Sequence, residues 1–208
     1  MKTLRIESLD IRPINVGLTD TFTISQGSVQ KVQSLLVTLT LDNGTTGYGE
    51  ITPFPELAGE DREACIERFN DVSPELIGKS LNNIRTLSHI LEEALPRSPS
   101  VKCGIEISML DALTRALEIP LWSYFGGLNE EILQTDITIP ILSLERSLEL
   151  ADKWVEKGFQ TLKIKVGTDL DHEIELLKSI EEESRGTLRY ILDANQGFTT
   201  EEAILFLS

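Results

Sequence analysis

Two lysines and one aspartate carry the strongest chemical signal in the sequence. Lys163 and Lys165 lie two positions apart in the strand-like run Thr-Leu-Lys-Ile-Lys-Val-Gly. Side chains alternate between the two faces of a strand, so both lysines are expected on one face, near the carboxyl end of the strand. Two neighbouring ammonium groups repel each other, which favours the loss of one proton, and the neutral amine that results can act as a base. An edge strand that carries lysines against aggregation is the alternative interpretation.

Asp193 ends the next predicted strand, in the run Leu-Asp-Ala-Asn-Gln-Gly. A carboxylate at a strand end is the kind of oxygen ligand that Mg²⁺ prefers. Asn195 is expected on the same side, where its amide can support the metal ligand. Taken alone, this run would be interpreted as a polar loop that caps a helix. Its position one strand–helix unit after the lysine pair favours a metal site instead.

The elements that must position these residues alternate along the second part of the chain. The predicted order is strand 135–141, helix 144–157, strand 160–166, helix 169–183, strand 188–192, and a helix opened by a capping box at Thr199 to Glu202. Such alternation with short connections indicates a parallel sheet. An eight-fold barrel, whose strand ends form the active-site mouth, takes about 250 residues. We therefore expect a barrel that is cut short.

The first part of the chain has strands first and helices second, which predicts a small α+β domain. Strands are expected within 3–50, where apolar residues alternate from Leu35 to Leu41 before the turn Asp42-Asn43-Gly44. Helices are expected within 60–95, with a break at Ser73-Pro74, and at 101–117. The segments 17–33 and 52–59 are expected to be loops.

Composition excludes several classes of function. The chain has 208 residues, with 19 Lys and Arg against 34 Asp and Glu, and a formal net charge of -15. Nucleic acids and anionic membranes both need a basic surface, so neither is an expected partner. The start of the chain lacks the apolar core of a signal peptide, which favours a cytoplasmic protein. Cys65 and Cys103 have no metal-binding or disulfide-like spacing.

These residues resemble a known family. Lys163-Ile-Lys165 followed by Asp193-Ala-Asn-Gln-Gly197 is similar to the mandelate racemase and muconate-lactonizing-enzyme branch of the enolase superfamily, and most closely to its dipeptide epimerases. Gly47-Tyr-Gly-Glu50 and the stretch 120–127 resemble the capping domain of that family. The resemblance implies an α+β capping domain at 1–130. At 131–208 it implies the start of a (β/α) TIM-type barrel, incomplete, with about three βα units.

The resemblance also implies a chemistry. In this family a proton is abstracted next to a carboxylate or carboxamide carbonyl, an enolate-type intermediate forms, and Mg²⁺ stabilises its charge. By the resemblance, Lys165 is the base, Lys163 its supporting cation, Asp193 a metal ligand and Asn195 a residue behind that ligand. Further acidic ligands and a second lysine, on the opposite face of the intermediate, come from later strands in the family. We therefore expect the 208-residue chain to be catalytically incomplete.

Substrate choice is expected to depend on two segments, 22–29 and 52–59, and on the first barrel strand. The substrate-binding residues that the resemblance implies are Thr138, Phe22, Ile24 and Phe54. Epimerases of this family that act on Ala-Glu carry an arginine in the first segment, and Gly27 stands in that place here. The expected partner is a small dipeptide or carboxylate substrate. A homo-oligomer is considered as well, since the sequence does not determine the oligomeric state.

Two alternatives stay open at this point. A cycloisomerase or an o-succinylbenzoate synthase of the same superfamily shares the lysine pair and the Asp193 run. A non-catalytic, truncated paralogue is an alternative from another functional class. It predicts exposed apolar sheet surface and self-association.

Overall fold

A computed structural model describes residues 3–24, 27–55, 59–127, 133–184 and 186–207. The chain divides into two compact units. The first comprises Met1–Gly17 and Lys31–Glu130, and the second comprises Leu18–Gln30 and Glu131–Ser208. The segment 18–30, which the sequence groups with the first domain, thus lies in the second unit.

The first sheet is three-stranded. Its strands are β1 (Ile6–Ile24), β2 (Gly27–Leu41) and β3 (Thr46–Ile51), in the order β1-β2-β3. Strands β2 and β3 are antiparallel, with Leu35 opposite Ile51 and Thr40 opposite Thr46. The turn between them confirms the predicted hairpin.

Helices follow the strands in the first unit, as the α+β pattern predicts. They are α1 (Arg62–Leu76), a 3-10 turn (Leu81–Asn83), α2 (Ile84–Ala94), α3 (Pro99–Ala116) and the short α4 (Leu121–Tyr124). From Leu35 to Leu41, every second residue of β2 is fully buried, which is the outcome expected for a strand with one face on the core. The helices contribute Phe69, Leu91, Ile105 and Met109 to the same core.

Strand β3 and helix α3 approach each other very closely. A side chain at Gly49 would collide with the carbonyl oxygen of Gly104, and one at Gly47 would collide with the backbone of Ser108 and Ala112. Glycine is therefore required at both positions of β3, because any Cβ atom would push the helix away from the sheet.

The second unit contains three βα units. They are β4 (Ile137–Ile139) and α5 (Leu144–Glu156), β5 (Thr161–Lys165) and α6 (Leu170–Ser184), and β6 (Arg189–Asp193) and α7 (Thr200–Leu207). The strands are parallel, in the order β4-β5-β6. This arrangement confirms the predicted start of a parallel barrel.

Local signals in the sequence correctly predict the helix ends of this unit. Gly158, with φ +92°, follows helix α5 in the left-handed conformation that glycine adopts easily. The predicted capping box opens α7: Glu202 N–H donates to Thr199 Oγ1 at 3.2 Å, and Thr199 N–H donates to Glu202 Oε2 at 2.8 Å.

The two faces of the second sheet differ in character. One face carries Leu162 and Ile164, which are fully buried and pack with Ile139 and with Leu176 and Ile180 of helix α6. The lysines of β5 alternate with these residues and therefore lie on the opposite face. The helices cover the apolar face, and the polar face is left for the site.

Two expectations from the sequence were wrong in detail. The segment 17–33 is extended strand over most of its length, because its Thr and Val residues favour strands that pair with a neighbour. Helix α1 runs through Pro74 to Leu76, since a helix can lose one backbone hydrogen bond within its last turn. Among the described helices, none has the length and apolar character that crossing a membrane requires.

Candidate active site

The register of the parallel strands aligns the residues predicted to do chemistry. Lys165 of β5 is paired with Asp193 of β6, at the carboxyl ends of both strands. Lys163 is paired with Ile191 on one side and with Thr138 on the other. Paired residues of parallel strands project to the same face, so Lys163, Lys165 and Asp193 share the side away from the helices with Thr138 and the apolar Ile191.

Both lysines contact a single carboxylate oxygen. The Nζ atom of Lys165 lies 2.8 Å from Asp193 Oδ2, and that of Lys163 lies 2.9 Å from the same atom. Lys165 also donates to Asn195 Oδ1 at 2.7 Å. These four residues are the ones that the sequence predicted to act together, and the structure brings all four into contact.

The two ammonium groups change the acidity of the carboxyl group. Hydrogen bonds from Lys165 and then from Lys163 hold the pKa of Asp193 well below its usual range, because both favour the charged carboxylate. The Lys165 side chain is 8% exposed, against 31% for Lys163 and 26% for Asp193. Lys165 is thus the more sheltered of the two amines, and the carboxylate stays accessible from solvent.

The turn after β6 has an uncommon backbone. Asn195 and Gln196 both have positive φ, +47° and +67°, in the left-handed region that few residues other than glycine adopt. Asn195 N–H donates to Asp193 Oδ1 at 3.0 Å. The turn therefore closes on Asp193 and directs the Asn195 amide oxygen to Lys165 at the same time. Such conformations persist only where the surroundings stabilise them.

The loops after β5 and β6 touch through glycines. A Cβ atom at Gly167 would lie 2.8 Å from the carbonyl oxygen of Ala194 and 3.1 Å from the Cα atom of Gly197. Gly197 in turn has no room for a side chain beside the carbonyl oxygen of Gly167. Val166 N–H donates to the carbonyl oxygen of Asp193 at 3.2 Å. The two strand ends that carry the site are thereby connected directly.

A buried carboxylate lies behind the first of these loops. Glu173, in the first turn of α6, is 3% exposed. Its Oε1 atom accepts hydrogen bonds from the amides of Gly167 at 2.7 Å, Thr168 at 2.8 Å and Asp169 at 3.2 Å. Glu173 was not among the residues predicted from the sequence. A glutamate at the buried spacing of Leu176 and Ile180, three and seven positions earlier, was the signal that could have found it.

The predicted substrate-binding residues lie in both units. Thr138 is half-buried and pairs with Lys163, and Phe22 is 36% exposed near the end of β1. Ile141 N–H donates to the carbonyl oxygen of Thr23 at 3.3 Å, which ties the end of β1 to the segment that follows β4. Ile24 ends β1, but its side chain lies outside the described residues. Phe54 is half-buried between β3 and α1, in the first unit.

The donor chemistry of the site suits a hard cation such as Mg²⁺, but the number of donors is small. Asp193 offers carboxylate oxygens at a strand end, and Asn195 offers an amide oxygen that accepts a hydrogen bond from Lys165. Within residues 3–24, 27–55, 59–127, 133–184 and 186–207, no group of three or more His, Cys, Asp or Glu side chains is placed to hold a metal ion. Mg²⁺ binds near-octahedrally. Asp193 therefore fits as one ligand of an incomplete set.

Both parts of the chain match known protein families. Residues 8–126 match the family "Mandelate racemase / muconate lactonizing enzyme, N-terminal domain", and residues 146–208 match "Enolase C-terminal domain-like". The L-Ala-D/L-amino acid epimerase of Populus trichocarpa is 36% identical over 96% of this chain and 47% of its own length. The hydrophobic dipeptide epimerase of Enterococcus faecalis is 31% identical over 97% of this chain and 56% of its own.

Solved structures show the same similarity. The dipeptide epimerase of Enterococcus faecalis, complexed with Mg and the dipeptide L-Leu-L-Tyr, superposes with a TM-score of 0.92 at 29% identity, over 98% of this chain and 57% of that one. A substrate-liganded L-Ala-D/L-Glu epimerase of Bacillus subtilis gives a TM-score of 0.92 at 30% identity, over 97% and 56%. The chain spans about half the length of the curated relatives that it matches. By its sequence and its fold, it belongs to the mandelate racemase / muconate lactonizing enzyme family.

Proposed function

We propose that these residues form part of the active site of a Mg²⁺-dependent isomerase that epimerises dipeptides by abstracting an α-proton. The observation that carries the proposal is the contact of Lys165 with both Asp193 and Asn195, at 2.8 Å and 2.7 Å, at neighbouring strand ends. These contacts bring a base, an oxygen ligand for a cation and an orienting amide together in one place. The names of the most similar relatives support the dipeptide class.

Lys165 is the proposed base. Its amine is sheltered from solvent and is held by two acceptors, so its position is well defined before a substrate arrives. The α-proton passes to Nζ of Lys165 when the amine is neutral, and the substrate becomes an enolate-type anion. Lys163 lies on the same face and shares the Oδ2 atom of Asp193 with Lys165.

Asp193 is the proposed metal ligand. When bound, Mg²⁺ supplies positive charge that stabilises the anionic carboxylate side of the substrate. Asn195 keeps Lys165 in place, and its backbone amide holds the second oxygen of Asp193. The proposal requires metal ligands beyond Asp193, and epimerisation requires a second acid on the opposite face of the planar anion.

An uncharged or apolar dipeptide is the proposed substrate. Gly27 begins strand β2, where the resemblance to Ala-Glu epimerases would place an arginine, and a glycine cannot pair with an acidic side chain. Thr138, Phe22, Ile24 and Phe54 are the proposed substrate contacts. Two of them are aromatic and one is aliphatic, which suits an apolar substrate side chain better than a charged one.

The test is proton exchange in D₂O, followed by ¹H NMR. Two forms of the protein should be compared: the 208-residue chain and the product of its complete reading frame, each with Mg²⁺ and a panel of dipeptides. We expect at least one of the two forms to exchange the α-proton of one residue of a dipeptide for deuterium and to produce the epimer. EDTA should abolish the reaction, and added Mg²⁺ should restore it.

The panel should include substrates of the two rival enzymes. Ring closure of a muconate would identify a cycloisomerase, and dehydration to succinylbenzoate would identify a synthase. Either result without dipeptide exchange would contradict the proposed substrate class. Absence of exchange with every dipeptide, in both forms and with Mg²⁺ present, would contradict the proposed function as a whole.

A further inference from the structure

The contacts of Glu173 are directed at a loop rather than at its own helix. Helix α6 begins at Leu170 and already has a cap, because His172 N–H donates to Asp169 Oδ1 at 3.2 Å. The three amides that Glu173 accepts belong to residues 167–169, which precede the helix. A second cap would add little to the stability of the same helix. The contacts of Glu173 therefore stabilise the loop.

The burial of the Glu173 carboxylate by itself lowers the stability of the folded protein. All the hydrogen bonds described for the Glu173 side chain go to Oε1, including one from the Thr168 hydroxyl at 3.2 Å. Oε2 is buried and has no hydrogen-bond partner among the described residues. A buried polar atom without a partner lowers stability, so the arrangement needs a compensating role.

The loop held by Glu173 is also the loop that contacts the site. It follows Lys165 directly, and Gly167 lies against Ala194 and Gly197 of the turn after β6. The amide of Gly197 closes that turn on the carbonyl oxygen of Ala194 at 2.8 Å. A displaced Gly167 would therefore release the turn that carries the left-handed backbone of Asn195.

We propose that Glu173 is a positioning residue for the pair formed by Lys165 and Asp193. Its carboxylate holds residues 167–169 by charge-assisted hydrogen bonds, which are stronger than neutral ones. Through Gly167, this clamp keeps the turn 194–197 in the conformation that brings Asn195 and Asp193 to the amine. The consequence for catalysis rests on the proposed function, whereas the clamp itself does not.

Amide hydrogen exchange on the 208-residue chain tests the clamp without any need for activity. In Glu173→Ala we expect exchange of the 167–169 amides to rise about tenfold or more, since each loses a bond to a charged acceptor. The decisive expectation is faster exchange at Asn195 and Gly197 as well, in a turn that Glu173 does not touch. Asp171→Asn is the matched control, because it removes an exposed charge from the same helical turn.

Labelling of lysines provides a second measurement on the same samples. Lys165 is nearly buried, so acetic anhydride should modify it slowly in the unaltered chain. Release of the turn exposes its amine, and Glu173→Ala should raise the rate of Lys165 modification several-fold. The exposed Lys178 of α6 should react at the same rate in every variant.

The outcomes are distinguishable. Faster exchange at 167–169, with unchanged exchange at 194–197 and unchanged Lys165 labelling, would overturn the proposal, since the role of Glu173 would then be local. If Glu173→Ala does not fold, Glu173→Gln takes its place. Its amide oxygen can still accept, so the same pattern with smaller changes is expected, and wild-type behaviour at 194–197 would overturn the proposal.

The catalytic consequence is measured in whichever form of the protein exchanges a dipeptide α-proton. A misplaced base slows chemistry more than substrate binding, so Glu173→Ala should lower kcat by about tenfold or more with a smaller change in KM. An unchanged kcat would overturn this consequence. If no form exchanges the proton, the proposed function fails, and the hydrogen-exchange and labelling results still decide on the clamp.

Discussion

The Nζ atom of Lys165 lies 2.8 Å from the Oδ2 atom of Asp193, and this contact joins the ends of two neighbouring parallel strands. Lys163 reaches the same oxygen at 2.9 Å, so one carboxylate oxygen lies against two ammonium groups. The negative charge of Asp193 thus offsets part of the repulsion between the lysines. A cation that takes Asp193 as a ligand would compete with both amines for the same oxygen atom.

Lys165→Ala should abolish α-proton exchange at one face of the substrate while leaving Mg²⁺ binding intact. Removal of a general base costs about 10² to 10⁴ in rate. The measurement is deuterium incorporation by ¹H NMR in the form of the protein that shows exchange. Lys178→Ala, on the exposed side of α6, is the control and should keep full activity. Full activity of Lys165→Ala would refute the assignment of the base.

Asp193→Asn should weaken Mg²⁺ binding and lower the rate together, because an amide oxygen carries no charge to attract the cation. Isothermal titration of Mg²⁺ separates the two effects: the affinity for Mg²⁺ should fall in the variant even without a substrate. Asp171→Asn, on the surface of α6, should bind as the unaltered protein does. Equal Mg²⁺ affinity in Asp193→Asn would show that Asp193 is not a ligand.

The same variant should change the dependence of stability on pH. The lysines lower the pKa of Asp193 in the folded protein, so the ion pairs stabilise it above the unfolded pKa of about 4 and are lost as the pH falls toward the folded value. Urea unfolding should therefore show Asp193→Asn to be less stable at pH 7, with the difference shrinking below about pH 4. A difference that stays constant from pH 7 to pH 2 would contradict this account.

The two cysteines should differ strongly in reactivity. Burial, and then the charge of Glu60, raise the pKa of the Cys65 thiol to about 11, so little thiolate is present near neutral pH. Cys103 is exposed on α3. Iodoacetamide at pH 8 should label Cys103 first, as followed by mass spectrometry, and Cys103→Ser should remove the fast phase. Rapid labelling of Cys65 in the folded protein would contradict its burial.

Gly49→Ala should destabilise the first unit. Its Cβ atom would collide with the carbonyl oxygen of Gly104, and overpacking of this kind costs about 1–3 kcal/mol. The free energy of unfolding from urea titration measures the loss. Gly17→Ala is the matched control, because nothing lies within 4 Å of a Cβ atom at that position. An equal effect of the two substitutions would mean that close packing of α3 on β3 is not the cause.

Much of the fold follows from local patterns. Alternation in β2, the hairpin turn and the capping box of α7 each depend on residues within a few positions of one another, so the sequence predicted them correctly. The loop expected at 17–33 failed because pairing between strands overrides the local preference of Gly and Ser for turns. The break expected at Pro74 failed for a related reason: α1 packs on the core past that point.

In the candidate site, too, some features follow from the local sequence and others from tertiary packing. The sequence by itself determined that Lys163 and Lys165 share a face and that Asp193 ends the next strand, because a strand repeats every two residues. The tertiary structure decided that Lys165 pairs with Asp193, that Asn195 turns back to the amine, and that Glu173 is buried behind the loop. Register depends on how the helices pack over the apolar face of the sheet, and that packing joins residues far apart in the chain.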